Sequence, residues 1–277
     1  MCSCSHGLRW MRVSIKWVVR LCSIHLVPRA HRDKVTMRFL IAFLLGVSAV
    51  SAAVDRNVDG RLALQNPDLF QGDILGFDPD DRNVIPHLQM RWTNKVVPYV
   101  IDASLSRSTA LIQAAINDYH TNTCLRFVPK TAAHRNYIKL FSGQGCYSYV
   151  GMINRGEQPL SLGPGCLYKG TIVHELGHAI GFFHEQNRSD RDQYLVIYWD
   201  NISKGMESQF ALLAPNQNLL LTPFDHDSVM LYGNYAFSKD RTSLTMVAKN
   251  GKRLLEPYDK SGLTSSDIQR VRKMYNC

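Results

Sequence analysis

The run His174-Glu175-Leu176-Gly177-His178-Ala179-Ile180-Gly181-Phe182-Phe183-His184 constrains the fold of this 277-residue chain more than any other feature. A spacing of four puts His174 and His178 one turn apart on one face of a helix. Two imidazoles placed so can reach a single metal ion at about 2.0–2.1 Å. Gly181 accepts a positive φ without steric cost, so it can end that helix and bring His184 back as a third ligand. Three neutral imidazoles leave a position open for water, the arrangement of a catalytic zinc site. Glu175, beside the first ligand, reaches that water rather than the metal and is the expected general base. The other histidines lack such spacing, and His87, His120, His134 and His226 read as surface or core residues.

Composition divides the rest of the chain. The formal net charge is +9, but it is dispersed. Residues 1–36 hold seven Lys and Arg against one acidic residue, and 83–277 hold 21 Lys and Arg against 15 Asp and Glu, without runs. No basic stripe suits nucleic acid, so none is expected as a partner. Met37-Arg38, the apolar run Phe39–Val47 and the small residues Val50-Ser51-Ala52 have the layout of a secretory signal peptide over 37–52. The apolar run is too short to span a bilayer, so the product reads as secreted, with no stable membrane anchor. Residues 1–36 read as an extension upstream of a true start at Met37. From 53 to 82 the chain is polar and rich in Asp, Gly and Pro, as a linker or pro-segment would be, and a globular pattern begins at Asn83. Cys124, Cys146, Cys166 and Cys277, dispersed downstream of the signal, imply two disulfides in any of three connectivities. Lys95–Ile101 and Tyr137–Phe141 read as strands. Ser108–His120 reads as an amphipathic helix, Leu176–Phe183 as part of a helix, and Ser265–Tyr275 as the last helix.

The histidine pattern is the metzincin signature. Its continuation through Glu185, Arg188, Asp190, Arg191 and Asp192 fits HExxHxxGxxHExxRxDRD. With Ser228-Val229-Met230-Leu231-Tyr232 as a Met-turn, the chain resembles the astacin family of zinc metalloendopeptidases over nearly all of 83–277. Leu231 stands where the common family form has His. The stretch Ser228–Asp240 is similar to that of arachnid venom and digestive astacins.

The resemblance implies an α/β (α+β) metzincin-type fold. A twisted, mostly parallel sheet and helices would form an N-terminal subdomain, an irregular C-terminal subdomain would carry Met230 and Tyr232, and the active-site cleft would lie between them. It implies one zinc ion per catalytic domain on His174, His178 and His184, Glu175 as catalytic base, Met230 as an apolar floor and Tyr232 as a switchable fifth ligand. It implies disulfides Cys124–Cys277 and Cys146–Cys166. Phe70-Gln71-Gly72-Asp73 matches the family's FxGD motif, in which the aspartate binds zinc and displaces the catalytic water of the zymogen. By the same resemblance, an activating trypsin-like protease cuts after Arg82, and the new amino group of Asn83 pairs with Glu185. The implied product is a monomeric, secreted endopeptidase of 83–277 acting on extracellular proteins and peptides. Retention of Glu175 argues against a zinc scaffold kept only for binding. Sequons at Asn187 and Asn201 permit glycosylation.

Overall fold

The computed structural model describes residues 59–76, 88–215 and 217–277. The signal peptide read at 37–52, the extension before it, and Arg82 with Asn83 lie outside the described residues. The chain is a mixed α/β protein built on a mostly parallel sheet.

Strands β1 (Ile74–Leu75), β2 (Val96–Ile101), β3 (Arg126–Pro129), β4 (Tyr137–Phe141), β5 (Cys146–Tyr149) and β6 (Glu157–Leu162) form one sheet, in the order β1-β5-β6-β4-β2-β3. Only β5 against β6 is antiparallel. Alternation in β4 turns Ile138 and Leu140 into the core, in register with Gln158 and Leu160 of β6. Strand β2 starts one residue later than the strand read from sequence at Lys95–Ile101, because Lys95 has φ 63°, outside the extended region.

Four helices are described: α1 (Gly60–Ala63), α2 (Thr109–Asn122), α3 (Lys169–Ala179) and α4 (Ser265–Tyr275). Ile112, Ala115, Ile116 and Tyr119 form the buried stripe of α2, at the spacing that one helical face requires. The Tyr119 hydroxyl donates to Val173 O at 2.7 Å, tying α2 to α3. Two of the carbonyls at the end of α3 find partners in side chains from distant parts of the chain. Trp92 Nε1–H donates to Ala179 O at 2.7 Å and the Tyr275 hydroxyl to Ile180 O at 2.8 Å, satisfying groups that a helix end leaves unpaired. A capping box of Thr264 and Asp267 opens α4.

Beyond α3, regular structure is sparse: β7 (Leu195–Ile197) pairs antiparallel with β8 (Met246–Ala248), and turns and single 3-10 turns fill the space before α4. The disulfides are Cys124–Cys277 and Cys146–Cys166. Two sequence expectations need correction. The helix read through Phe183 stops at Ala179. The described part of 53–82 is no mere linker: Asp59 caps α1, β1 extends the sheet parallel to β5, and Leu64, Gln71, Asp73 and Ile74 are buried.

Candidate active site

Helix α3 carries His174, Glu175 and His178, and all its residues from Gly170 to Ala179 are buried. Backbone chemistry sets its end. The Phe182 N–H donates to Gly177 O at 3.1 Å and the Gly181 N–H to His178 O at 2.8 Å. These are the paired bonds of a Schellman ending, with the left-handed position taken by Gly181 at φ 115°. The reversal puts Phe182 O at 2.7 Å from His178 Nδ1 and returns His184 in extended conformation.

Each of the three imidazoles donates its Nδ1–H to a carbonyl oxygen. His174 donates to Val229 O at 2.7 Å, His178 to Phe182 O at 2.7 Å, and His184 to Gln71 Oε1 at 2.8 Å. A proton fixed on Nδ1 leaves every Nε2 lone pair free, and all three converge. His174 Nε2 lies 3.1 Å from His178 Nε2 and 3.1 Å from His184 Nε2. Asp73 closes the group. Its Oδ2 is 3.0 Å from His174 Nε2 and 3.3 Å from His184 Nε2, and its Oδ1 is 3.2 Å from His178 Nε2. The four side chains are fully buried or nearly so, and their ligand atoms lie within 4.8 Å of one another. Burial pushes the His174 imidazole down and the His184 imidazole down to about 3, so these rings are neutral. Three lone pairs and a carboxylate aimed at one point repel one another without a cation between them. The nitrogen-and-oxygen donor set fits zinc.

Two acid–base groups flank this point. Both carboxylate oxygens of Glu175 are buried and, among the described residues, have no hydrogen-bond partner. Burial first, and then the charge of Asp73, pushes its carboxyl well above the usual range. The Tyr232 hydroxyl lies 2.5 Å from Asp73 Oδ2 and 2.9 Å from Leu64 O. Burial and Asp73 push the phenol up, so it stays protonated and a donor.

The turn that carries Met230 and Tyr232 is pinned from several directions. Asp267 accepts from the Ser228 hydroxyl at 2.6 Å and from Val229 N–H at 2.9 Å. Buried Lys260 donates to Ser228 O and Leu231 O, and burial pushes its ammonium down to about 8. Met230 O accepts from Glu185 N–H at 2.9 Å, and the Met230 sulfur lies against Gly177 of α3.

Residues 84–276 match the family model of the astacin peptidases. The chain belongs to the astacin family of zinc metallopeptidases. Among its astacin relatives, it is 40% identical over 249 residues to astacin-like metalloprotease toxin 1 of Loxosceles intermedia, covering 86% of this chain and 92% of that one. It is 38% identical over 243 residues to zinc metalloproteinase nas-13 of Caenorhabditis elegans, where the match covers 78% of this chain but spans 52% of that protein's length. Its fold is similar to that of high choriolytic enzyme 1, a hatching enzyme zinc-protease of Oryzias latipes. The TM-score is 0.61 at 37% identity, over 68% of this chain and 93% of that one. Zinc is thus the cofactor of this astacin, and His174, His178, His184 and Asp73 are the cluster able to hold a metal ion.

Glu185 is buried, and among the described residues its partners are Arg270 Nη2 at 2.6 Å, Arg188 Nη1 at 3.0 Å and Asp225 N–H at 2.8 Å. The Asn187 sequon is sealed, because its fully buried side chain donates to Gln209 O and Ala211 O. Sequence reasoning missed Gln71, Lys260 and Arg270. A glutamine in a turn and a lysine in a loop carry no signal of burial, and Arg270 stands 85 residues from its partner Glu185. Among the described residues no helix is long and apolar enough to cross a membrane.

Proposed function

We propose that this astacin is a secreted, monomeric endopeptidase, made as a zymogen, that hydrolyses internal peptide bonds of extracellular proteins and peptides. One observation carries the reading: a buried carboxylate with no partner, Glu175, beside three inward-facing imidazole lone pairs. His174, His178 and His184 would hold the zinc, which would supply Lewis acidity to polarise the scissile carbonyl and acidify a water molecule. Glu175 accepts the proton of that water and passes it to the leaving amine, and its raised pKa suits a group that must both take and give a proton. Tyr232, freed from Asp73, donates to the oxyanion that develops on the scissile carbonyl. Met230 closes the floor beneath the histidines.

Asp73 supports the zymogen reading, because it holds the place from which water must react and also occupies the Tyr232 hydroxyl. Activation is a cut after Arg82 by a trypsin-like protease, after which the amino group of Asn83 reaches toward Glu185. Since Glu185 already has two guanidinium partners, one extra residue before Asn83 costs less than the ~3–5 kcal/mol of leaving a buried charge unpaired.

Casein incubated with the activated enzyme, with and without a chelator, tests the activity. Hydrolysis that the chelator abolishes and zinc restores is expected, and inert activated enzyme would overturn the reading. Glu175→Gln keeps the shape but cannot accept the proton. It should retain stoichiometric zinc and lose about 10²–10⁴-fold in turnover. Near-normal turnover with zinc in place would remove Glu175 as the base.

A further inference from the structure

Each metal-binding ring needs an acceptor at Nδ1, and the three acceptors differ in origin. Val229 O and Phe182 O are backbone atoms of the catalytic region. The third, Gln71 Oε1, belongs to the segment that carries Asp73. Gln71 is fully buried, and among the described residues its Nε2 has no hydrogen-bond partner. Two successive left-handed residues, Gln71 at φ 54° and Gly72 at φ 95°, reverse the chain here. A side chain at Gly72 is excluded, since its Cβ would lie 2.5 Å from Leu64 O and 2.7 Å from Phe237 Cζ. The turn is closed by Asn66 N–H to Gly72 O at 2.9 Å and Ile74 N–H to Phe70 O at 3.0 Å. It thereby brings the side chains at 71 and 73 to the same metal site, Asp73 among the Nε2 atoms and Gln71 behind His184.

We infer that Gln71 is a positioning residue of the metal site that acts through His184, and only while the pro-segment is in place. The inference rests on the zymogen reading. With Nε2 kept for the metal, His184 carries its proton on Nδ1, and only an acceptor can face it. The amide oxygen of Gln71 orients the ring and raises the basicity of Nε2, at the cost of an unpartnered NH₂ group. Departure of the pro-segment therefore removes two things at once: the Asp73 carboxylate from the metal and the acceptor from His184. His174 and His178 keep theirs. The precursor holds zinc more tightly than the mature enzyme through two separable contributions, and His184 is the ligand that activation loosens.

The test uses the full-length precursor as wild type, Gln71→Leu and Gln71→Glu, each with Asp73 intact, and measures zinc affinity by chelator competition. Removing the outer partner of a metal-binding histidine typically costs about 10–100-fold in affinity, and Gln71→Leu should fall by that much. Gln71→Glu keeps an acceptor and should match or exceed wild type. A weakened Glu variant would mean that an acceptor at residue 71 does not support zinc binding, which overturns the inference, as would a Leu variant within about twofold of wild type. The same Gln71→Leu comparison in an Asp73→Ala background separates the two readings. If Asp73→Ala alone leaves affinity unchanged, the aspartate lock fails, while a persisting Gln71 effect still stands. A wild-type precursor that takes up no zinc overturns both.

Discussion

Burying a carboxylate with neither oxygen hydrogen-bonded is costly, and Glu175 is held so beside a metal cluster. Tyr232 is the complementary case, a phenol kept protonated by burial and now engaged with Asp73. If its hydroxyl serves only the developing oxyanion, Tyr232→Phe in the mature enzyme should leave KM nearly unchanged and lower kcat by about 10²–10³. Steady-state kinetics on a quenched peptide decides this, since a raised KM with unchanged kcat would mean that the hydroxyl binds ground and transition state alike. Individual residues were legible where spacing encodes geometry. His174, His178 and His184 could be placed because helical periodicity and one glycine turn determine where they meet. Gln71 could not, because its role depends on which atom of His184 lies behind it, a contact across 113 residues.

At the scale of elements, the turn after α3 was readable, because a Schellman ending needs a left-handed residue and Gly181 supplies it, but the run of apolar residues to Phe183 hid that the helix stops at Ala179. Strand β1 was not. Two residues carry no periodicity, and Ile74 and Leu75 become a strand only by pairing with Ser148 and Tyr149 of β5. On the proposed zymogen reading, that pairing gives the lock two parts, the Asp73 carboxylate in the metal-binding cluster and a strand along the sheet edge. Asp73→Ala should remove the first and leave the second. The uncut precursor of that variant is expected to cleave small peptides measurably while remaining slower than the mature enzyme. If it stays fully inert, cover by β1 and its neighbours is the main block.

For the molecule as a whole, the disulfides set the connectivity. Four cysteines left three pairings open in the sequence, and folding selects the pair that joins the second residue past α2 to the second residue past α4. Cys124–Cys277 spans 153 residues and Cys146–Cys166 spans 20. By loop-closure entropy, losing the longer link should destabilise the zinc-loaded enzyme by about 2 kcal/mol more than losing the shorter one. Urea melts of the two paired Cys→Ser variants measure the difference, and equal losses would point to native-state contacts instead. The longer link also makes 124–277 a covalent ring, with His174, Glu175, His178, His184 and Tyr232 all inside it and the turn carrying Asp73 outside. Proteases are exposed to one another and to their own kind, and Leu219 and Leu220 stand exposed within the ring. A nick there opens the ring without shedding a fragment, so a damaged molecule stays a single band until it is reduced. On the proposed activation, a cut at Arg82 falls ahead of the ring, so the turn carrying Asp73 would be held by non-covalent contacts alone. The same backbone cleavage would thus keep its fragments joined in one place and free a segment in the other.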